Sequence, residues 1–279
     1  MDTWLVAAAL LSAALHASWN AAIKQSANPT EAMIGQMVCA ALWGLPLLFW
    51  TGLPAAPAWA WIIISTALNI AGILALLKAY EVTGFGTAYP MVRATAVTVV
   101  APLAAILAGD ALSPYAMAGI ALIASALLII GLASRGSASA LSKEALGWIL
   151  LSGTITALVV LCEAKGVRAS GSALAYGCVS AITNALAMCW KQGQLAHPFA
   201  MLQKHWRLAV PASFASMVSY LAILYVFAHA PVAVAQALRD TSAVFAILIA
   251  IFWLKEPFTR ARLVAVALAA LAIPLLRLA

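Results

Sequence analysis

Ten apolar segments, each long enough to cross a lipid bilayer, constrain this chain more than any other feature of its sequence. They fall at residues 4–23, 32–53, 59–79, 84–108, 114–133, 146–162, 172–190, 208–227, 231–254 and 261–276. In hydrocarbon every backbone N–H and C=O must be satisfied within the protein, so only helices and closed barrels span a membrane. These segments are too long and too uniformly apolar for barrel strands. The sequence therefore predicts an all-α membrane protein with ten transmembrane helices.

The composition excludes a soluble fold. Hydrophobic residues make up 66% of the chain and charged residues only 8%, whereas a soluble domain carries about 25% charged residues. The net charge of +7 comes from loop lysines and arginines that face anionic headgroups. No basic run with interleaved aromatic residues indicates nucleic-acid binding. We therefore expect membrane lipid, and no nucleic acid, as a partner.

The ten segments divide into two halves of five. Residues 1–133 form the first half and residues 146–279 the second, and the polar stretch 134–145 is interpreted as a linker. Arg93 precedes Asp110 by 17 residues, and Arg239 precedes Glu256 by the same interval. Because each half has an odd number of spans, the second half must be inverted relative to the first. Inverted repeats are typical of transporters, whose site lies near the midplane between the repeats.

Two adjacent charges, Arg239 and Asp240, interrupt the ninth segment. They lie roughly 12 Å past its expected start, close to the middle of the hydrocarbon layer. A charge at that depth costs about 2.5–3.5 kcal/mol, so it requires a partner, a water-filled cavity or a ligand. Gln236 lies one turn before Arg239 on the same helical face.

Arg93 reaches a similar depth from the opposite side of the membrane, and Tyr89 lies one turn before it. Each guanidinium is a planar, permanently charged fork that suits a carboxylate or a phosphate. The alternative is a structural ion pair, of Arg239 with Asp240 or Glu163, that closes one end of a cavity. The two interpretations are compatible, and the sequence leaves both open.

The first segment carries a stripe of polar residues at every fourth position, namely Ser12, His16, Asn20 and Lys24. This spacing places them on one helical face. Trp19 and Asn20 are candidates for ligand contact, and His16 is a candidate proton relay. Ser12, and Ser152 in the sixth segment, are expected to bond a backbone carbonyl or a neighbouring helix.

Three tyrosines, Tyr80, Tyr89 and Tyr225, flank the corners between the third and fourth and between the eighth and ninth segments. We predict that they line a cavity wall, with simple packing as the alternative. Asp110 and Glu256 stand at segment ends before small polar residues, where each is expected to cap the following helix.

Three stretches resemble a known family. They are LHASWNAAIK in the first segment, AYPMVRATAVTVVAPLAAILAGDALSPYAMAGIALI in the fourth and fifth, and APVAVAQALRDTSAVFAILIAIFWLKEPFTRARLVAVAL in the ninth and tenth. They resemble the EamA-type repeats of the drug/metabolite transporter superfamily. This resemblance implies a ten-helix basket of two inverted repeats around a central cavity, usually in an exporter of amino acids or other small metabolites.

These observations predict a secondary transporter that exports amino acids or similar small zwitterionic metabolites by alternating access. An arginine would take the substrate carboxylate, Glu163 or Asp240 the ammonium, and the tyrosines and Trp19 the side chain. The alternatives are a carrier of organophosphate, phosphonate or another anionic metabolite, and a lipid flippase.

Catalysis has no support in the sequence. No paired metal ligands, nucleotide loop or Ser/His/Asp cluster is present. We therefore predict a protein that is not an enzyme and that needs no cofactor or metal. We expect a multi-pass monomer in a bacterial-type inner (plasma) membrane.

The orientation in the membrane rests on two arguments that conflict. The side that carries both termini holds three basic residues, Lys165, Arg168 and Arg277. The opposite side holds ten, namely Lys24, Lys78, Arg135, Lys143, Lys191, Lys204, Arg207, Lys255, Arg260 and Arg262. The positive-inside rule therefore predicts both termini outside, whereas the family resemblance implies both inside. We follow the charge count.

Overall fold

The fold is all-helical throughout the part of the chain that the structure describes. The structure, a computed structural model, describes residues 1–83, 85–134, 141–193, 197–252 and 259–279. The helices are α1 (Thr3–Lys24), α2 (Pro29–Thr51), α3 (Ala58–Thr83), α4 (Phe85–Leu103), α5 (Pro114–Ala133), α6 (Lys143–Ser170), α7 (Ala173–Lys191), α8 (Pro198–His229), α9 (Val232–Asp240), α10 (Ser242–Phe252) and α11 (Arg260–Leu278). Ten helical stretches, with α9 and α10 counted together as one, are long and apolar enough to cross a membrane, so the predicted all-α fold with ten spans is confirmed.

Two helices extend well beyond their predicted apolar segments. The sequence predicts the sixth segment at 146–162, but α6 runs to Ser170. It predicts the start of the eighth segment at residue 208, but α8 begins at Pro198 and is kinked at His205 (φ −114°, ψ 19°). The amino-terminal ends of both helices carry residues that favour a helix start. Ser142 accepts the Ala145 N–H at 3.1 Å and so caps the start of α6, and Pro198 occupies the first turn of α8, where no N–H is needed.

The ninth predicted span is not one helix. It breaks at Thr241 into α9 and α10, and residues 253–258, which include Glu256 and the predicted end of the span, lie outside the described residues. The Thr241 hydroxyl donates to the Leu238 carbonyl at 2.6 Å and offers the backbone an alternative to the helical ladder. Such a break is tolerated at membrane depth only where protein or a cavity surrounds it. It follows Arg239 and Asp240 directly, in the middle of the bundle.

Small residues allow the helices to approach closely. A Cβ atom on Gly153 of α6 would lie 2.5 Å from the Thr95 side chain of α4 and 2.9 Å from the Val92 carbonyl oxygen. In lipid, close backbone packing of this kind replaces much of the hydrophobic drive that holds soluble helices together. Many large apolar side chains turn outward, and Phe49 and Trp50 are each 92% exposed.

The two halves of the chain interlock. The first helix of the first half, α1, packs on α8, α9 and α10 of the second half, while α6 packs on α3 and α4 of the first. Likewise α2 packs on α7 and α8, and α5 packs on α11. Helices of each half thus pack on helices of the other half. This packing is compatible with an inverted repeat, but the inversion itself stays a prediction. Residues 135–140 of the predicted linker lie outside the described part.

Candidate functional site

A buried ion pair between the halves marks the centre of the candidate site. The Arg93 guanidinium of α4 contacts the Asp240 carboxylate of α9, and their side chains are 12% and 0% exposed. Gln236, one turn before Asp240, donates its amide N–H to the same carboxylate at 2.9 Å. The Asp240 Oδ2 and the Gln236 Oε1 are buried and have no hydrogen-bond partner among the described residues. The pair is therefore neutral in charge but not saturated with hydrogen bonds.

Arg239 lies beside this pair and remains without an ion-pair partner among the described residues. Its Nε is buried and makes no hydrogen bond there. The charges of Arg93, Glu163 and Asp240 all act on it. Asp240 thus pairs with Arg93 of the other half rather than with its own neighbour in sequence. A cation with an unused donor inside the helix bundle is suited to an anionic ligand group.

Glu163 of α6 supplies the second buried carboxylate. It is 8% exposed and accepts a hydrogen bond of 2.9 Å from the Tyr220 hydroxyl of α8. The charge of Arg239 acts on it from α9. Tyr220 did not stand out in the sequence, because a single tyrosine in an apolar helix is typical of ordinary packing. Its only sequence signal was a polar atom well inside a long span.

The first residue of the polar stripe of α1, Ser12, makes a structural contact with another helix. Ser12 and Ser219 of α8 each donate to the other's backbone carbonyl at 2.7 Å, and Ser152 donates to the Gly72 carbonyl of α3 at 3.2 Å. The predicted role of both serines, a bond to a backbone carbonyl across helices, is therefore confirmed.

The carboxyl-terminal part of α1 holds His16, Trp19 and Asn20. The charges of Arg239 and Arg93 act on His16, and the His16 and Trp19 rings meet edge to face with centroids 5.2 Å apart. The Trp19 indole N–H is buried without a partner among the described residues. The Asn20 side-chain amide donates to the His16 carbonyl of its own helix at 2.8 Å. His16 and Trp19 thus contact each other, and a ligand-binding role for His16, Trp19 and Asn20 stays a prediction.

The three predicted cavity-wall tyrosines do not lie together. Tyr80 lies near the end of α3, and Tyr89 lies one turn before Arg93 on α4. Tyr225 lies at the end of α8, where its ring stacks on His229 at 4.2 Å and meets Trp4 at 5.0 Å between centroids. There it lines a cavity of about 440 Å³ together with Val167 and Arg168. The structure does not bring Tyr225 to the arginines.

A second polar cluster closes the helix ends beside that cavity. Asp110 accepts the Val232 N–H, the first of α9, at 2.5 Å. Arg168 of α6 donates to the Phe227 and Ala230 carbonyls at 2.9 Å each, and its guanidinium lies 3.9 Å from the Asp110 carboxylate. The prediction that Asp110 caps the following helix is wrong, because Ser113 caps α5 instead, by accepting the Ala116 N–H at 3.1 Å. Gly109, in a left-handed conformation (φ 70°), turns the chain directly before Asp110.

Four side-chain hydrogen bonds that the sequence did not predict join the two halves. They link α3 to α7 and α2 to α8. Thr66 and Thr183 lie 2.9 Å apart and Asn69 donates to Asn184 at 2.8 Å, between α3 and α7. Between α2 and α8, Trp43 donates to Ser213 at 3.0 Å and Gln36 to Ser216 at 2.5 Å. The only sequence feature that could have indicated these contacts is a spacing of three between polar residues, at Thr66 and Asn69 and again at Ser213 and Ser216.

Comparison with known proteins identifies a similar family by sequence and a similar fold by structure. The sequence profile of the EamA-like transporter family matches residues 143–278, which is the second half of the chain. A protein of known crystal structure has 13% sequence identity over 99% of this chain and 96% of its own, with a TM-score of 0.77. At that identity the likeness shows the fold alone. No curated protein sequence matches the chain.

Proposed function

The chain belongs to the EamA-like transporter family and is a multi-pass membrane transporter, and from this premise we propose that it exports amino acids or similar small zwitterionic metabolites. The cycle is secondary transport by alternating access around the buried charges between the halves. The observation that carries the proposal is Arg239, a partly buried cation whose buried Nε has no hydrogen-bond partner among the described residues. The proposal includes a monomer as the working unit and a bacterial-type inner (plasma) membrane as its location.

The carboxylate of the solute is assigned to Arg239 rather than to Arg93. The Arg93 charge is already balanced by Asp240, whereas Arg239 makes no ion pair among the described residues. A guanidinium binds a carboxylate with two parallel hydrogen bonds, which fix its orientation as well as its position. Arg93 is then a positioning residue that holds α9, and with it Arg239, against the first half.

The ammonium of the solute is assigned to Glu163. Asp240 already contacts Arg93 and Gln236, while Glu163 has one neutral hydrogen-bond donor, Tyr220. Arg239 and Glu163 together carry one charge of each sign, which matches the two charged groups of a zwitterion. A phosphorylated dianion would meet only one uncompensated guanidinium here, so the arrangement favours the zwitterion over the organophosphate alternative.

A ligand screen on the purified protein tests the proposal. Thermal shift is measured with neutral amino acids, with carboxylic acids that lack the amine, with amines that lack the carboxylate, and with sugar phosphates. We expect stabilisation by the amino acids only, followed by counterflow of the same solutes in proteoliposomes. Stabilisation by sugar phosphates, or by lipid alone, would contradict the proposal. Arg277→Ala, in the last turn of α11, serves as a control that keeps the full response.

A further inference from the structure

A cavity of about 440 Å³ lies outside the arginine centre, at one end of the helix bundle. It is lined by the ends of α6 and α8 and by the start of α7, and its lining includes Arg168, Tyr225 and His229. All three helices are long and apolar enough to cross a membrane, so the cavity lies where the hydrocarbon meets the headgroups. Trp4 of α1 meets the Tyr225 ring, which places the amino terminus at the same end. The volume falls within the range of about 300–1,000 Å³ that is usual for sites of small ligands.

Arg168 supplies the cavity with a cation that is held in place. Its Nε donates to the Phe227 carbonyl and its Nη2 to the Ala230 carbonyl, at 2.9 Å each. These two bonds tie the guanidinium of α6 to the end of α8. A guanidinium carries more N–H donors than two bonds use, and its planar fork suits a phosphate group. Arg168 can therefore bind an anion without giving up the bonds that position it.

The charge of Arg168 is not balanced inside the cavity. The Asp110 carboxylate lies 3.9 Å from the guanidinium, but its side chain is 7% exposed against 32% for Arg168. Asp110 also accepts the Val232 N–H and is not part of the lining. Among the described residues that line the cavity there is no aspartate or glutamate. The open space therefore meets the guanidinium rather than the carboxylate, and it attracts an anionic group.

His229 adds a second polar group to the lining. Its ring stacks on Tyr225 with centroids 4.2 Å apart, and its Nδ1 lies 2.8 Å from the Tyr225 carbonyl oxygen. Because a carbonyl oxygen only accepts hydrogen bonds, Nδ1 is the donor in this contact. Nε2 is then the ring nitrogen left for another partner, and in the neutral ring it accepts a hydrogen bond. A hydroxyl group next to a phosphate suits this pair of side chains.

Exposed apolar side chains adjoin these polar groups. Leu174 and Tyr225 line the cavity and are exposed, and Trp4, which contacts Tyr225, is exposed beside it. Tryptophan and tyrosine are enriched where the hydrocarbon meets the headgroups. A free phosphate would leave these side chains uncovered, whereas a phospholipid also brings acyl chains that pack on them. A phospholipid therefore fits both the charged and the apolar part of the surface.

We propose that this cavity binds the headgroup of an anionic phospholipid. The phosphate lies at Arg168, a hydroxyl of the headgroup donates to Nε2 of His229, and the upper acyl chains pack on Trp4 and Leu174. A glycerol headgroup, which carries one net negative charge and two hydroxyls, has this chemistry. The site lies outside the arginine centre and does not depend on which solute the protein transports.

Native mass spectrometry of the purified protein tests the site, with phosphatidylglycerol and phosphatidylcholine of equal chain length titrated as probes. We expect the wild type to prefer phosphatidylglycerol. Loss of one basic residue near anionic headgroups weakens lipid binding by about fivefold, and Arg168→Gln should show at least this loss. Arg277→Gln removes the same charge at the same end of the bundle but outside the lining, and should keep the wild-type affinity. Equal affinities of the two variants, or no preference between the two lipids in the wild type, would overturn the proposal.

A second pair of variants tests the charge of the cavity without breaking the bonds that Arg168 makes to α8. Ala173 belongs to the lining and is the first residue of α7, where a negative charge stabilises a helix. Ala173→Glu therefore places a carboxylate in the cavity of a protein that still folds, and Ala173→Gln is its neutral match. We expect Ala173→Glu to lose phosphatidylglycerol and Ala173→Gln to bind more of it. Equal binding by the two variants would overturn the proposal.

Two further measurements identify the occupant. Excess inorganic phosphate offers the same anion without acyl chains, so lipid that stays bound supports the proposal, whereas displaced lipid would assign the site to free phosphate and overturn it. His229→Phe keeps an aromatic ring but lacks Nε2. It should reduce the preference for phosphatidylglycerol over phosphatidylmethanol, which has the same charge and no headgroup hydroxyl. An unchanged preference would overturn the role of His229.

Discussion

Arg93 on α4 and Asp240 on α9 form a buried ion pair that joins the two halves of the chain. Removal of one partner leaves the other charge buried and uncompensated, which costs about 3–5 kcal/mol. We therefore expect Asp240→Ala to lower the melting temperature of the purified protein strongly. The double variant Arg93→Met with Asp240→Leu should recover much of the loss. An Asp240→Ala protein as stable as the wild type would show that the pair does not hold the halves together.

Arg239 should behave differently, since it has no ion-pair partner among the described residues. Arg239→Ala is expected to fold, to keep a melting temperature close to that of the wild type, and to lose transport. Arg239→Lys should regain only part of the activity, because an ammonium keeps the charge but not the two-pronged geometry. Counterflow and thermal unfolding are measured on the same preparations. Full activity in Arg239→Ala would remove this residue from the site.

The face of α1 can be mapped with single cysteines. We expect cysteines at Trp19 and Asn20 to react with water-soluble thiol reagents and to be protected by substrate, and one at Leu15 to stay unlabelled. The native cysteines at 39, 162, 178 and 189 are buried, which keeps the background low. Equal protection at all three positions would mean that the stripe only packs against another helix.

The cap that Asp110 provides for α9 predicts a measurable loss of stability. Loss of a capping side chain costs about 0.5–2 kcal/mol, so Asp110→Ala should lower the melting temperature moderately. Asp2 offers a matched control, because it precedes α1 but its side chain makes no capping hydrogen bond. Asp2→Ala should therefore change little. An equal response of the two variants would contradict the role given to Asp110.

Both termini lie on one side of the bundle, where the amino group of Met1 donates to the Arg277 carbonyl at 2.8 Å. The excess of basic residues on the opposite side predicts that the termini are outside the cell. A green fluorescent protein fused after Ala279 should then stay dark in a bacterial host. Bright fluorescence would place both termini inside and reverse this orientation.

The sequence predicted those parts of the molecule that depend on hydropathy along the chain. The spans follow from runs of apolar residues, and Arg93, Arg239 and Asp240 stood out because a charge is rare at that depth. The bond from Ser152 to the Gly72 carbonyl followed from the general behaviour of small hydroxyls in lipid.

The sequence could not predict which side chains contact each other across helices. Asp240 has Arg239 as its neighbour in sequence but Arg93 as its ion-pair partner, because helices from different halves meet at that point. Tyr220 became part of the site only through its contact with Glu163. The break at Thr241 escaped notice because the hydropathy of a span does not register a local change of backbone hydrogen bonding.

The interlocked halves have a consequence for how the protein is made. Ser12 of α1 depends on Ser219 of α8, which lies 207 residues later in the chain. While the polypeptide is still being inserted, Ser12 therefore lacks its partner, and no chain that stops before Ser219 can supply it. Chains truncated before Ser219 are expected to be recognised and degraded by membrane proteases. Insertion of the final third of the chain is thus required before the first helix is stable.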